Sequence, residues 1–420
     1  MVVIGFAIRV LVVGLTIGPY LEPDQTQFAF GLEGGRIAAS IARGEGFSNP
    51  LTIPTGPSAW RSPVYPYLMA GFFKVFGIHT LAAAIAMYAM NCFISAITCV
   101  PLYRLGVLSF DERVGRWAGW IWAFFPYAIV NSTQKIFDTP LSALLVAWLI
   151  LDTLKMRHVT SARRWIWHGA LWAFAALTQT GVLILLPFYW LWVMWQMQAP
   201  FRQRVRLVTV GGLVFALGIA PWIVRNYVVF GKFVPFRSNI AMELHVGNQH
   251  GLELPRSDAH HPTSNSREAK LMQDLGEVPY MEAKMEQFKQ FVREHPGEFA
   301  TRSIRRFFHY WTSAWDIRPA SLAAKPFESA DIPFATFVTV LGVLGLIQLW
   351  GTNRAEAMLY AIFLALYPLV FYVTHRSYRY RHPVDPVLVL LGAAAMAAWW
   401  ARRRGEAAVT GGENRTSTGH

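Results

Sequence analysis

Residues 63–77 read PVYPYLMAGFFKVFG, and the path of the whole chain turns on whether this stretch crosses a membrane. It is apolar and aromatic, yet shorter than the roughly 20 residues that a spanning helix needs, and Pro66 and Lys74 interrupt it. Counted as a span, it would put the basic stretches at 104–116, 155–164 and 200–206 outside. Left out, it places every one of them in the cytoplasm, as the positive-inside rule requires. Pro63–Gly77 therefore reads as a juxtamembrane helix lying in the interface on the outer face.

The lipid setting follows from composition. Of 420 residues 54% are hydrophobic, 15% aromatic and only 15% charged, with a mean hydropathy of +0.31, which excludes an ordinary soluble protein. The formal net charge of +13 raises the question of nucleic acid as a partner. Its distribution answers against it: the cations cluster between apolar runs, at Arg104, Arg113 and Arg116, at Lys155, Arg157, Arg163 and Arg164, at Arg202, Arg204 and Arg206, and at Arg402, Arg403 and Arg404. Such clusters mark cytoplasmic loops.

Apolar runs at 3–20, 80–103, 116–131, 137–154, 165–180, 182–198, 207–224, 333–350, 356–374 and 384–401 are the candidate spans. The expected fold is an all-α integral membrane protein with about ten transmembrane helices, the interfacial helix, and a small, mostly helical outer-face domain. The runs on either side of Thr178, Gln179, Thr180 and Gly181 read as two spans with a tight turn. Arg9, inside the first run, must snorkel or face protein. Met1–Tyr20 carries no small-residue cleavage signature and reads as a retained anchor, with a longer N-terminus left open. Cys92 and Cys99 lie two helical turns apart in one run and cannot pair with each other.

The chain then divides into a transmembrane region at 1–224, whose first outer loop spans 21–79, an outer domain at 225–332, a second transmembrane region at 333–405, and a Gly-, Thr- and Ser-rich, disordered cytoplasmic tail at 406–420. In the outer domain Met281, Met285, Phe288 and Val292 recur at helical spacing. Pro296 and Gly297 break the chain before a second helical stretch with Phe299, Phe307, Phe308 and Trp311. Both termini are expected in the cytoplasm.

The first outer loop holds the most informative residues. Glu33 opens a helical pattern with Ile37, Ile41 and Ala42 on one face, closed by Gly44 and Gly46. A carboxylate at the membrane surface, where water is scarce, can acquire the raised pKa of a general base; a first-turn acid is also favoured by the helix dipole alone. Arg36, Arg61, Arg225, Arg379 and Arg381 run against the positive-inside trend. Their planar guanidinium groups suit phosphate, or else they anchor helix ends to lipid headgroups. Arg379 and Arg381 flank Tyr380. Lys135 and Asp138 either line the same site or serve the helix that follows, Asp138 as a cap ahead of Pro140. His245, His250, His260 and His261 have no acidic or cysteine ligand at a recognised spacing. No metal site is assigned, and a divalent metal as cofactor stays open.

The order of motifs is an acidic residue after the first span, IAxxIAxGxGF at 37–47, PVYPYL running to FG at 63–77, PWIVRNY at 221–227 and RYRHPVDP at 379–386. Taken together it resembles the GT-C membrane glycosyltransferases, specifically the bacterial glycosyltransferase family 39 group, which is similar to protein O-mannosyltransferases and aminoarabinose transferases. The resemblance covers nearly the whole chain. It implies transfer of a hexose or pentose from a polyprenyl-phosphate sugar to a lipid, glycan or protein hydroxyl, with inversion, on the outer face of a bacterial inner membrane. The acid of the first outer loop would activate the acceptor or orient the substrates. Glu33 takes that place, with Asp24 as the fallback, because the Asp-Glu pair of many members is replaced here by Phe30 and Gly31. Outer-face basic residues would hold the lipid phosphate, and the ELHVGNQHG stretch at 243–251, with Asn248, resembles a loop that members place over the site.

Two other classes compete. A transporter or lipid flippase would place polar residues on broken helices near the midplane, often in repeated halves; these runs carry little charge apart from Arg9, and no repeat is visible. A non-catalytic subunit of an envelope assembly complex is compatible with the thin outer domain.

Overall fold

The computed structural model describes residues 1–16, 30–249, 260–313, 326–375 and 378–404, and its named elements are all helices. The N-terminal half runs α1 (Val2–Thr16), α2 (Glu33–Arg43), α3 (Val64–Phe76), α4 (Leu81–Ile97), α5 (Cys99–Ser109), α6 (Glu112–Phe124), α7 (Pro126–Thr133), α8 (Thr139–Met156), α9 (Ala162–Thr178), α10 (Leu186–Gln196) and α11 (Phe201–Phe230). Four helices follow, α12 (Ile240–Gly247), α13 (Ser266–Leu275), α14 (Glu277–Glu294) and α15 (Pro296–Thr312). The chain closes with α16 (Pro326–Thr352), α17 (Arg354–Leu366), α18 (Leu369–Val373), α19 (Tyr378–Arg381) and α20 (Asp385–Arg403).

Among the described residues five helical stretches are long and apolar enough to cross a membrane: Leu81–Ser109, Thr139–Met156, Phe201–Phe230, Asp331–Thr352 and Arg354–Val373. Val2–Thr16, Val64–Phe76 and Thr180–Gln196 are shorter apolar helices. With 13 residues, α3 is about 20 Å long, against about 30 Å of hydrocarbon. The run at 116–131 is not one helix: Phe125 is extended (ψ 119°) between α6 and α7, because the residue before Pro126 is pushed out of the α region. The expected break at 178–181 is present, with Gln179 extended ahead of a 3₁₀ turn at Thr180–Leu185.

Packing accounts for the bundle's buried polar groups, which are more numerous than the expectation of little charge apart from Arg9: Asp152 meets Arg164 at 2.5 Å and His168 at 2.6 Å, and Asp385 and Glu356 are buried as well. Arg9 is fully buried: its Nε donates to the Ser95 hydroxyl at 2.9 Å, and its Nη atoms to the carbonyls of Gly5, Ala123 and Trp122. It faces protein. Where α16 crosses α20, a Cβ at Gly345 would lie 1.9 Å from the Leu391 carbonyl, the close backbone approach typical of helices packed in lipid.

The bundle has two distinct ends. At one, Arg157 pairs with Glu356 at 2.5 Å, Ser109 meets Tyr360 at 2.9 Å, and the Trp192 indole donates to the Ala355 carbonyl at 2.7 Å. At the other lie Glu33, Arg61 and the Ser62–Thr180 contact of 3.1 Å. Here a second core joins Ile37, Phe47, Leu51 and Trp60 of the first loop to Trp222 of α11 and to Met242, Met272 and Tyr280. The first loop and α12–α14 thus share one interior. Within α14 the buried side chains are Glu277, Tyr280, Met281, Lys284 and Phe291, with Met285 packed against the same core. Lys284 is accommodated by a 2.7 Å ion pair to Glu268. In α15 it is Arg302, Arg306 and Tyr310 that are buried, while Phe307 and Phe308 are exposed.

Candidate functional site

Glu33 owes its position to an unusual approach of the backbone. Gly31 has φ +71°, and a Cβ there would lie 2.3 Å from the Ile136 carbonyl, so the first loop touches the segment before α8 only with glycine at this place. Leu32 follows at φ 52°, ψ −118°, a conformation that costs a side-chain-bearing residue about 1–3 kcal/mol. The chain then enters α2 with Glu33 in its first turn, 6% exposed.

Basic side chains surround that carboxylate. Arg61 Nη2 is 3.4 Å from Oε2, and His261 Nε2 is 4.0 Å from Oε1. Burial alone would raise the Glu33 carboxyl, but Arg61, His261 and Arg379 outweigh it and hold it below the usual value. The raised pKa expected of a general base is therefore not what the surroundings produce: Glu33 is a carboxylate at neutral pH.

Arg61 is delivered by a braced segment. The Asn49 side chain (φ 55°) accepts from the amides of Thr55 and Gly56 at 3.1 and 3.0 Å, closing the 47–58 loop. Arg225 donates to the carbonyls of Ser58 (2.7 Å) and Phe47 (2.8 Å) and lies over the Trp222 ring at 5.1 Å. It braces the loop from α11. Arg36, one turn after Glu33, donates to the Pro50 carbonyl at 3.3 Å.

The RYRHPVDP residues part company. Arg379 lies 4.5 Å over the Phe137 ring and 3.4 Å from the Tyr380 hydroxyl, and acts electrostatically on Glu33. Arg381 turns the other way, into the bundle: it pairs with Asp385 at 3.3 Å and donates to the carbonyls of Trp311 and Ala335, both at 3.2 Å. Tyr380 is stacked on Phe371, with centroids 4.8 Å apart, and Phe371 on Tyr310. Its hydroxyl is 3.2 Å from His375 Nε2, whose Nδ1 is 3.2 Å from Glu243 Oε2. Asn239 in turn donates to Glu243 Oε1 at 2.9 Å. Asn248 is fully buried, donating to the carbonyls of Leu244 and Val373 at 2.8 Å and accepting from Arg306 at 3.0 Å. It anchors the stretch leading to His375.

The structure thus gathers Glu33, Arg61, Arg379 and Tyr380 into one place, and sets Arg36, Arg225, Arg381 and Asn248 in the scaffold around it. Asp24 and His250 lie outside the described residues. Arg237, Glu243, His261 and His375 complete the cluster. Glu243 opens the ELHVGNQHG stretch; Arg237, His261 and His375 belong to no periodic pattern or motif spacing, and the fold brings the four together. Arg237 donates to the Trp60 carbonyl at 3.2 Å, and Asp138 faces Arg237 and Arg379 electrostatically. A narrow cleft opens beside Arg61 and Asp138, walled by Tyr65, Met69 and Phe137. Among the described residues no three His, Cys, Asp or Glu side chains converge as metal ligands. Arg61 and Arg379 beside Glu33 are cationic donors that repel a metal ion, so these surroundings do not fit a divalent metal.

Residues 60–224 match the family described as dolichyl-phosphate-mannose-protein mannosyltransferase. No curated protein matches the chain by sequence. Among solved structures, the archaeal oligosaccharyltransferase AglB from Archaeoglobus fulgidus, in complex with an inhibitory peptide and a dolichol-phosphate, is 14% identical at TM-score 0.54, over 98% of this chain and 52% of that one. The Archaeoglobus fulgidus oligosaccharyltransferase in complex with Zn and sulfate is 12% identical at TM-score 0.53, over 97% and 50%. ArnT from Cupriavidus metallidurans, bound to undecaprenyl phosphate, is less similar, at 14% identity and TM-score 0.40 over 94% and 78%. This chain spans about half the length of the archaeal enzymes. With that family match and the archaeal architecture in common, the chain carries the fold of the GT-C superfamily of membrane glycosyltransferases.

Proposed function

We propose that the chain transfers a hexose or pentose from a polyprenyl-phosphate-linked sugar to an acceptor hydroxyl on the non-cytoplasmic face of a bacterial inner membrane, with inversion. The observation that carries this reading is the buried Glu33, held beside His261, near Arg379, and beside Arg61, which lines a narrow cleft. The family match to dolichyl-phosphate-mannose-dependent enzymes and the dolichol-phosphate bound by an enzyme of the same fold support it.

A polyprenyl phosphate leaves readily, so the reaction asks for cations where negative charge accumulates rather than for a strong acid. Arg379 and Arg61 supply them, with the Tyr380 hydroxyl as a neutral donor. Glu33 accepts a hydrogen bond from the acceptor hydroxyl, aligns it for attack at the anomeric carbon, and takes its proton as the new C–O bond forms and the bond from that carbon to the phosphate oxygen breaks. The acceptor is a lipid, glycan or protein hydroxyl.

In this reading ten helical rods span the membrane: α1, α4 with α5, α6 with α7, α8, α9, the 3₁₀ turn with α10, α11, α16, α17 with α18, and α20. The α3 helix lies in the outer interface, residues 225–332 lie outside, and Arg402–Arg404 mark the cytoplasmic end. The reading is tested by two arginines two residues apart. Arg379→Gln raises the KM for polyprenyl-phosphate mannose about tenfold, the worth of one charged hydrogen bond. Arg381→Gln leaves that KM unchanged and lowers the Tm. Unchanged donor kinetics in the Arg379 variant contradict the assignment.

A further inference from the structure

Glu277, the first residue of α14, is 3% exposed and takes no part in the ion pairs around Glu33. Its carboxylate accepts from the Ser58 hydroxyl at 2.6 Å, the Ala59 amide at 2.6 Å and the Ser238 hydroxyl at 2.7 Å. Ser58 and Ala59 belong to the short stretch that ends in Arg61. The rest of that stretch's backbone is gripped as well. Ser58 donates to the Phe47 carbonyl at 2.9 Å, and the Trp60 amide donates to the Ser58 hydroxyl at 3.0 Å. The Ala59 carbonyl accepts from the Ser238 amide at 3.0 Å, and the Trp60 carbonyl from Arg237 at 3.2 Å. Trp60 itself is sealed in the second core. Burial pushes the Glu277 carboxyl above its usual value, although its three donors and Arg225 pull the other way. A buried acid carries that cost, which an apolar residue filling the same space would avoid.

We propose that Glu277 is a positioning residue for sugar transfer: by fixing Ser58–Trp60 it sets the reach of Arg61 to Glu33, 3.4 Å away. The inference rests on the glycosyl-transfer reading above. It assigns to the start of α14, more than two hundred residues away in sequence, control over the ion pair at the first loop. Charge-assisted bonds this short are stiff, so a change at Glu277 is felt at Arg61 and not only in overall stability.

The test uses the full chain in proteoliposomes with polyprenyl-phosphate mannose as donor, reading release of polyprenyl phosphate. Glu277→Gln keeps an amide oxygen on the Ala59 amide and the Ser238 hydroxyl, but sets an N–H2 donor against the Ser58 hydroxyl, which must give up its own donation, and removes the charge that strengthens all three bonds. Expected are a kcat lowered about tenfold, a KM within about twofold, and an acid limb of the pH–rate profile moved to higher pH, because Glu33 loses the cation that depresses it. In an Arg61→Met background the same substitution costs nothing further. Additive losses in the double variant, or an unmoved acid limb, overturn the proposal. If Glu277→Gln does not fold, Ser238→Ala removes one donor and gives the same shift in smaller size. Amide exchange at Ala59 and Trp60 separates the two readings: faster exchange in Glu277→Gln is expected whatever the activity, and unchanged exchange sinks the latch. A wild-type chain that releases no polyprenyl phosphate sinks glycosyl transfer instead, and with it the role for Arg61.

Discussion

At Glu33 opposing electrostatic effects meet, and the cations win over burial. The histidines show the reverse outcome. Burial, with help from Lys284 and His260, pushes His245 down to about 4 from an ordinary 6.5, and His79 and His375 are lowered too. For each, the unfolded chain binds the proton more tightly, so the stabilisation is present above pH 6.5 and is lost as pH falls through the folded values. The Tm of the full chain in detergent is expected to fall from pH 7 to pH 5, with a shallower fall in His245→Gln; a Tm that rises on acidification contradicts this. Two neighbouring glycines separate strain from space. Gly31→Ala meets both φ +71° and the Ile136 carbonyl and costs at least about 2 kcal/mol, whereas a Cβ at Gly34 meets nothing within 4 Å. Thermal unfolding of the two variants distinguishes them, and equal effects would show that the Gly31 contact is not formed.

Short elements do more of the positioning than long ones. The four residues of α19 send Arg379 to the site and Arg381 into the bundle, because side chains two apart on a helix point to opposite sides. The motif announced two arginines beside an aromatic; which of them turns toward Glu33 depends on where α15 and α16 lie, and no local pattern records that. The same holds for α14, where the Met281 to Val292 periodicity marked the helix but gave no sign that Glu277, Tyr280, Lys284 and Phe291 are buried beside Met281. The Glu268 partner that lets Lys284 go inside lies on another helix. The long apolar runs were legible because lipid demands the same thing of every residue, and even there Pro126 and Pro368 cut elements that hydropathy alone joins. At the end of α12, a Cβ on Gly247 would lie 2.0 Å from the Thr374 carbonyl. Gly247→Ala therefore pushes the 373–375 stretch away, and His375 from Glu243 with it. Donor turnover is expected to fall about tenfold or more; wild-type turnover in a folded variant would show that His375 does not support the site.

For the whole molecule, the sorting of contacts to two ends of the bundle agrees with leaving α3 out of the span count, while which end faces the cytoplasm rests on the arginine clusters. Cys92 and Cys99 are buried, so single cysteines introduced at exposed positions report sidedness against a quiet background. In intact cells a membrane-impermeant maleimide is expected to label a cysteine at Gln287 of α14 and to spare one at Ser161, between α8 and α9; the opposite pattern turns the topology over. The central claim, that Glu33 serves sugar transfer from a polyprenyl phosphate, is met most directly by one comparison. Purified wild-type chain and Glu33→Gln, matched by thermal unfolding, are given polyprenyl-phosphate mannose, and released polyprenyl phosphate is measured. Release by the wild type and a loss of about a hundredfold or more in the variant is the expected result; equal release by both, or none by the wild type, contradicts it.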